Sequence, residues 1–199
     1  MTEISSQSRF ARPDISPMFR ANRSIRVRPA DDADIPFLWA LFATDEVSYR
    51  WVYRGRIPTP ESIRMNLQRP DVLGHIIEDT RGQKQLGYVG AFDVNDRNGH
   101  AQLGTVVGPD QQQTGVGVTA TMLFADYLFT ILPLRKLYLQ SLDYNYAQFS
   151  SLVSRGYASV EGVLREHEFF AGRYWDIHVL SVTREQFKLA SERMRLRER

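Results

Sequence analysis

The chain has 199 residues, 43% of them hydrophobic, and no cysteine, which suffices for one sizeable core and excludes disulfide staples, thiolate metal sites and cysteine nucleophiles. The formal net charge of +2 is unevenly spread, with residues 1–24 and 184–199 basic and the stretch between them mildly acidic. That distribution argues against direct nucleic-acid binding, which uses a basic stripe with stacking aromatics on the folded part; the absence of a long apolar run or apolar leader predicts a cytoplasmic protein without a membrane partner.

Residues 1–23, rich in Ser, Arg and Pro, read as a flexible basic arm ahead of a folded unit over 24–183. Ile25-Arg26-Val27-Arg28 alternates as a strand, stopped by Pro29, and Asp31 or Asp32 caps a helix containing Ile35, Leu38, Trp39 and Phe42. Thr59-Pro60-Glu61 opens a second helix that ends before Pro70, with threonine suited to the cap, proline to the first turn and glutamate to the positive helix end. Three strands follow, Val72–Glu78, Gln85–Asp93 and His100–Val107, joined by turns at Arg81-Gly82 and Asn98-Gly99; connections this short imply antiparallel neighbours. Gly108-Pro109-Asp110 turns the chain into a long helix over Gly117–Leu132. A strand over Leu137–Leu142 and a helix from about Tyr146 to Arg155 come next. Strands over Val160–Phe169 and Arg173–Val182 pair across Ala171-Gly172, and Thr183 with Gln186 makes a capping box for a basic C-terminal helix, 184–199. The layout predicts a single α/β (α+β) domain: a mixed, mostly antiparallel twisted sheet of about seven strands flanked by helices.

Gln112-Gln113-Thr114-Gly115-Val116-Gly117 sits where a strand hands over to the long helix. Two glycines there let a ligand approach the backbone, and the free N–H groups and positive end of the helix suit a phosphate or pyrophosphate. The alternative is a tight loop whose glycines serve packing alone. With this hexamer, the layout resembles the GNAT superfamily of N-acetyltransferases. Gln112, Gly115 and Gly117 fill the superfamily's acyl-CoA pattern, and Asn145 with Gly156-Tyr157 matches its helix-starting asparagine and Gly-aromatic end. Glu161-Gly162-Val163-Leu164-Arg165 and Gly172-Arg173-Tyr174-Trp175-Asp176 are similar to the branch that acetylates ribosomal-protein N termini.

The resemblance implies acetyl-CoA or another acyl-CoA as donor, and a monomer or homodimer that acylates an amine of a peptide, protein or small molecule. It implies that Gln112, Gln113, Thr114, Gly115, Val116 and Gly117 cradle the pyrophosphate. Leu103, Thr105, Val106 and Val107 would follow the pantetheine arm, and Asn145 would orient it or simply cap its helix. Acid–base chemistry is harder to assign. The strand glutamate used by many relatives as base is Gln102 here, and the usual acidic tyrosine is Leu152, with Ser151 beside it as first candidate acid. Candidate bases are His100, His167 and Glu168, since histidine titrates near neutrality; bulk-water deprotonation with catalysis by positioning is the alternative. The aromatic and basic loop from Asp45 to Pro58 carries Tyr49, Arg50, Trp51, Tyr53, Arg54 and Arg56; it offers Tyr49, Trp51 and Arg54 as acceptor contacts, its arginines suited to clamp an extended peptide or a carboxylate-bearing small molecule, or else it packs on the second helix. Asp143, Tyr144 and Trp175 border the same groove. His75 and Glu78 read as sheet surface, and no cluster argues for a metal. Two other readings stay open: a non-catalytic acyl-CoA-binding or regulatory module, and an acyltransferase using a longer-chain or carrier-protein-bound donor.

Overall fold

The computed structural model describes residues 20–81 and 84–197. It begins with a two-residue strand, β1 (Arg20–Ala21), paired antiparallel to β2 (Ile25–Pro29). Ordered structure therefore starts ahead of Ile25, inside the segment expected to be a free arm. Asn22 makes the turn by accepting from the N–H groups of Ser24 and Ile25, and Arg20 reaches Asp126 at 2.8 Å. The rest of the expected arm, residues 1–19, lies outside the described residues, as does Gly82 of the expected Arg81-Gly82 turn.

Helix starts follow their local signals. Asp31 caps a 3-10 turn by accepting from the Ala33 N–H, and α1 (Ile35–Ala43) follows with Pro36 in its first turn. After the single turn α2 (Asp45–Ser48), Thr59 caps α3 (Pro60–Leu67), its hydroxyl accepting from the Ser62 N–H at 3.1 Å. The strands β3 (Leu73–Asp79), β4 (Gln85–Asn95) and β5 (His100–Val107) extend the sheet antiparallel. Helix α4 (Val116–Ile131) then crosses over to β6 (Lys136–Leu142), which runs parallel to β5. The single helix expected from Tyr146 is instead two pieces, α5 (Asp143–Tyr146) and α6 (Ser150–Ser154), joined by a 3-10 turn. Its Asn, Ser and aromatic residues are modest helix formers, and the two tyrosines of α5 are held by different neighbours. The hairpin β7 (Ser159–Phe170) and β8 (Arg173–Thr183) leads into α7 (Arg184–Arg197). The capping box is present, with Thr183 N–H to Gln186 Oε1 at 2.9 Å and Gln186 N–H to Thr183 Oγ1 at 3.2 Å.

The eight strands run in the order β1-β2-β3-β4-β5-β6-β8-β7, with β1 the strand beyond those read from the sequence. Helices α4 and α7 cover one face, where Phe124, Leu128 and Phe187 pack with Val89, Leu103 and Leu137. Helices α1 to α3 cover the β2–β5 part of the other face, where Leu38, Phe42 and Ile63 meet Ile76, Tyr88 and Trp51. Arg184 satisfies carbonyls at the end of α4, reaching those of Phe129 at 2.6 Å and Leu134 at 2.7 Å. No helix among the described residues is long and apolar enough to cross a membrane.

His75 and Glu78 are interior, contrary to the surface reading, because α4 and the β2 arginines cover them. Glu78 accepts from Arg26 and Arg28, each at 2.6 Å. His75 is 3% exposed, packed at a tilt against the rings of Phe124 and Tyr127, with neither ring nitrogen hydrogen-bonded. Burial pushes its pKa from 6.5 down to about 4. Between those values the unfolded chain binds a proton that the folded chain does not. Stability therefore falls as pH drops through this window, by about 3 kcal/mol. Replacing His75 by leucine, a change that roughly conserves volume, is expected to remove that slope in urea unfolding between pH 6.5 and 4. An unchanged slope would refute the assignment.

Candidate active site

β5 and β6 pair at only three positions, His100–Lys136, Ala101–Leu137 and Gln102–Tyr138. Beyond Gln102, residues through Val107 keep partners only in β4, and residues after Tyr138 keep partners only in β8. A wedge therefore opens in the middle of the sheet, with Gln102 and Tyr138 at its vertex. Each side presents an edge of backbone N–H and C=O groups without a ladder partner, which is what an extended amide-bearing ligand needs. Gly104 lets the loop after α2 come close to β5: a Cβ there would lie 2.9 Å from Trp51 Cη2.

The glycine hexamer sits at the mouth of the wedge. Gly115 caps α4 at φ +87°, a conformation costly for other residues, and Gln113 is also left-handed at φ 62°. The first turn of α4 leaves its leading N–H groups without carbonyl partners in the helix. A Cβ on Gly115 would meet nothing within 4 Å, and one on Gly117 would meet only Val107 Cγ1, at 3.7 Å. Close packing therefore keeps neither position small: Gly115 is required by its backbone conformation, and Gly117 leaves open space at the helix start. Thr121 donates to the Gly117 carbonyl at 2.7 Å, so Thr105, 2.7 Å from Thr121 Oγ1, is the donor in that contact and ties β5 to the helix start. The side chains of Leu103, Thr105 and Val107 face α4, and Val106 packs on the opposite face. All four border the wedge through their backbone.

On the face opposite α4, the loop following α2 spans the wedge. Arg50 Nη1 donates to Gln112 Oε1 at 3.2 Å on the hexamer side, and Tyr144 Oη donates to the Tyr49 carbonyl at 2.7 Å on the α5 side. The Tyr49 ring stacks on Phe170 at 5.9 Å, and Tyr144 meets Trp175 edge-on at 4.8 Å. Burial raises the Tyr144 pKa, outweighing nearby Arg54, so its hydroxyl stays neutral. Arg54 donates to the carbonyls of Arg50 and Trp51 and lies 3.4 Å from Glu168. Tyr49, Arg54, Tyr144 and Trp175 are thus brought together as expected. Trp51 is a correction: at 7% exposure it is core, stacked on Phe42.

The acid–base candidates separate. His100 shares a face with Gln102, about 7 Å farther from the wedge, edge-on to Tyr138 at 5.6 Å. Glu168 reaches the loop cluster, but Arg54 engages its carboxylate. His167 does not join the site, because it is exposed in an irregular stretch of β7 between Leu164 and Glu168, two strands away from β6. Ser151 is exposed on α6; the hydroxyls of Ser150 and Ser154 return to backbone carbonyls, and that of Ser151 makes no such bond among the described residues. Asp143 turns away to His178 at 2.8 Å, and Tyr146 stacks on the same imidazole at 3.9 Å. Asn145, between these two tyrosines, is partly buried on α5 rather than at a helix cap. Tyr138, Phe170 and Arg173 escaped the sequence reading of the site, whereas Arg50 belongs to the aromatic, basic loop that reading named. Arg50 and Arg173 lay within motifs already noted, but only the folded chain sets them beside the wedge.

Residues 24–154 match the family model described as an acetyltransferase (GNAT) domain. The chain belongs to that family. Family members whose sequences resemble it include the spermidine N(1)-acetyltransferases of Vibrio cholerae, 28% identical with 86% of this chain and 99% of the relative covered, and of Escherichia coli, 25% identical with 82% and 88% covered. Among solved structures, the Vibrio cholerae spermidine N-acetyltransferase in complex with CoA and spermine superposes with a TM-score of 0.74 at 21% identity, covering 83% of this chain and 99% of that one. A ribosomal-protein alpha-N-acetyltransferase in complex with coenzyme A superposes at 0.72 with 15% identity, covering 83% and 97%. As a GNAT enzyme the chain moves an acyl group from acyl-CoA to an amine. The open glycine cradle and the unpaired strand edges fit that donor: helix N–H groups suit its pyrophosphate, and the β5 edge suits the amides of its pantetheine arm. When bound, acyl-CoA supplies the activated acyl thioester.

Proposed function

We propose that the chain is a cytoplasmic N-acetyltransferase in which the acceptor amine enters from the loop-covered face and reacts at the wedge in a ternary complex. The observation that carries this reading is the end of β5–β6 pairing at Gln102–Tyr138, which leaves a free β5 edge running to Val107, beside Gly117 in the glycine-capped start of α4. The amine nitrogen bonds to the acyl carbon, the C–S bond breaks, the nitrogen gives up a proton and the departing thiolate takes one. Backbone N–H groups along the free edge of β5 near Val106 stabilise negative charge on the carbonyl oxygen. Ser151, whose hydroxyl is not spent on the helix backbone, protonates the thiolate. Gln102 cannot act as base, so the proton leaves through water over the polar face formed by Gln102, Tyr138 and His100. The similarity of the β7–β8 hairpin to the ribosomal-protein branch and the curated polyamine relatives point to different acceptors, and the wall around the wedge chooses between them.

Thiol release from acetyl-CoA, screened against amines, tests the reaction. Ser151→Ala is expected to slow the chemical step about a hundredfold while leaving acetyl-CoA affinity unchanged. If rate and affinity fall together, Ser151 is a binding residue. If neither changes, Tyr144 becomes the next acid to test, since its neutral hydroxyl is only 2.7 Å from the Tyr49 carbonyl and could exchange that partner.

A further inference from the structure

We propose that the acceptor amine carries a carboxylate and that Arg173 recognises it, with Arg50 available to a second carboxylate at the opposite end of the same wall. The proposal rests on the transfer reaction above and adds its substrate class. Tyr49, Phe170, Tyr144 and Trp175 form a continuous aromatic wall along the wedge, with a guanidinium fixed at each end. Arg50 lies 5.1 Å from the Tyr49 ring centre and donates through Nε to Tyr49 Oη at 2.7 Å and through Nη1 to Gln112. Arg173 lies flat over Trp175 at 3.4 Å. Both cations are therefore positioned by neutral partners, and each retains N–H groups able to chelate a carboxylate.

Three carboxylates beside them are already committed. Glu168 faces Arg54 at 3.4 Å, Asp143 faces His178 at 2.8 Å, and Asp176 faces Arg165 at 2.6 Å. Asp45, Glu166 and Arg56, on the same segments, are exposed and form no ion pair among the described residues. A polyamine requires several free carboxylates in fixed positions, but here its charges would meet two fixed arginines. The same arginines also address the missing base. A nearby cation disfavours the ammonium form of an amine and lowers its pKa, so a larger fraction of a bound acceptor is ready to attack without a glutamate at position 102.

The test is thiol release from acetyl-CoA by the full chain with three kinds of probe. These are L-glutamate against its diamide, a tetrapeptide with glutamate at its second and third positions against its glutamine counterpart, and spermidine. The carboxylate member of at least one pair is expected to exceed its amide by about tenfold or more in kcat/KM, as loss of a hydrogen bond to a charged group would give. Whichever pair responds distinguishes a small-molecule from a peptide source. Arg173→Gln is expected to raise KM for that acceptor about tenfold, to leave its amide counterpart and acetyl-CoA affinity unchanged, and to move the alkaline rise of kcat, which reports the bound acceptor, to higher pH. Spermidine turning over faster than both acids, or a carboxylate preference that survives Arg173→Gln together with Arg50→Gln, would overturn the proposal. Should no amine react, calorimetry of the same probes on CoA-saturated protein decides separately. Carboxylate binding lost in Arg173→Gln upholds the acceptor site while refuting the transfer reading, and no binding by either acid refutes the acceptor site.

Discussion

Gly117→Trp is expected to abolish acetyl-CoA binding in a protein that remains folded. Gly117 lies in the first turn of α4, and a Cβ there meets only Val107 Cγ1, at an ordinary contact distance of 3.7 Å. A side chain at this position removes a flexible glycine from a helix, worth up to about 1 kcal/mol in favour of folding. The same side chain fills the space in front of the leading N–H groups, where the proposed cradle would hold the pyrophosphate. Losing even two hydrogen bonds to a charged group corresponds to more than about a hundredfold in affinity. Calorimetry with acetyl-CoA, paired with thermal unfolding, separates the two effects. Gly115→Ala is the contrasting variant, since its φ of +87° strains any other residue and both stability and affinity are expected to fall. Wild-type affinity in a folded Gly117→Trp protein would refute the cradle.

Asp34→Ala is expected to cost about 3–5 kcal/mol of folding stability, a large part of the 5–15 kcal/mol typical of a domain. Asp34 is 2% exposed and takes both arms of the Arg28 guanidinium, at 2.7 and 2.8 Å, together with Gln85 at 2.6 Å and the Asp31 N–H at 2.9 Å. Arg28 also holds Glu78, which is 4% exposed, so one cation joins β2, β3 and the turn before α1. Burial works to raise the Asp34 pKa, but the bonds from Arg28 and Asp31 outweigh it and the net shift is downward. A carboxylate held below its ordinary value stabilises the fold at all pH above that value and ceases to do so as pH falls through the folded pKa. The loss in Asp34→Ala should therefore be full at neutral pH and shrink in strong acid. Urea unfolding at pH 7 and pH 3 measures both, and a change below about 1 kcal/mol at pH 7, as for a surface pair, would contradict the network.

Much of the fold was legible before the structure because its determinants are local. Thr59 and the Thr183–Gln186 box act within one turn of their own helices, and His100–Val107 alternates along a single strand. The glycine-capped helix start was legible for the same reason: six consecutive residues create the left-handed turn and the exposed first turn of α4. Where local preference was weak, tertiary contacts decided. Residues 143–155 break into α5 and α6, with Tyr144 drawn to Trp175 and Tyr146 to His178, neighbours more than thirty positions away for both rings.

The sequence by itself determined the family and the order of nearly every element, and proposed the donor site. Only the tertiary structure decided what surrounds the acceptor. Trp51 moved from groove to core because Gly104, fifty-three positions later, leaves room for it against β5. His75 and Glu78 moved inward because α4 and the β2 arginines cover them, and periodicity within β3 does not say which face carries a helix. His167 lies away from the aromatic cluster at an irregularity in β7, whereas Arg50 and Arg173 are brought to opposite ends of one aromatic wall. A helix start is specified by residues that touch along the chain. An acceptor wall is made by residues that touch only after the sheet has closed, so their spacing in sequence carries no trace of the contact.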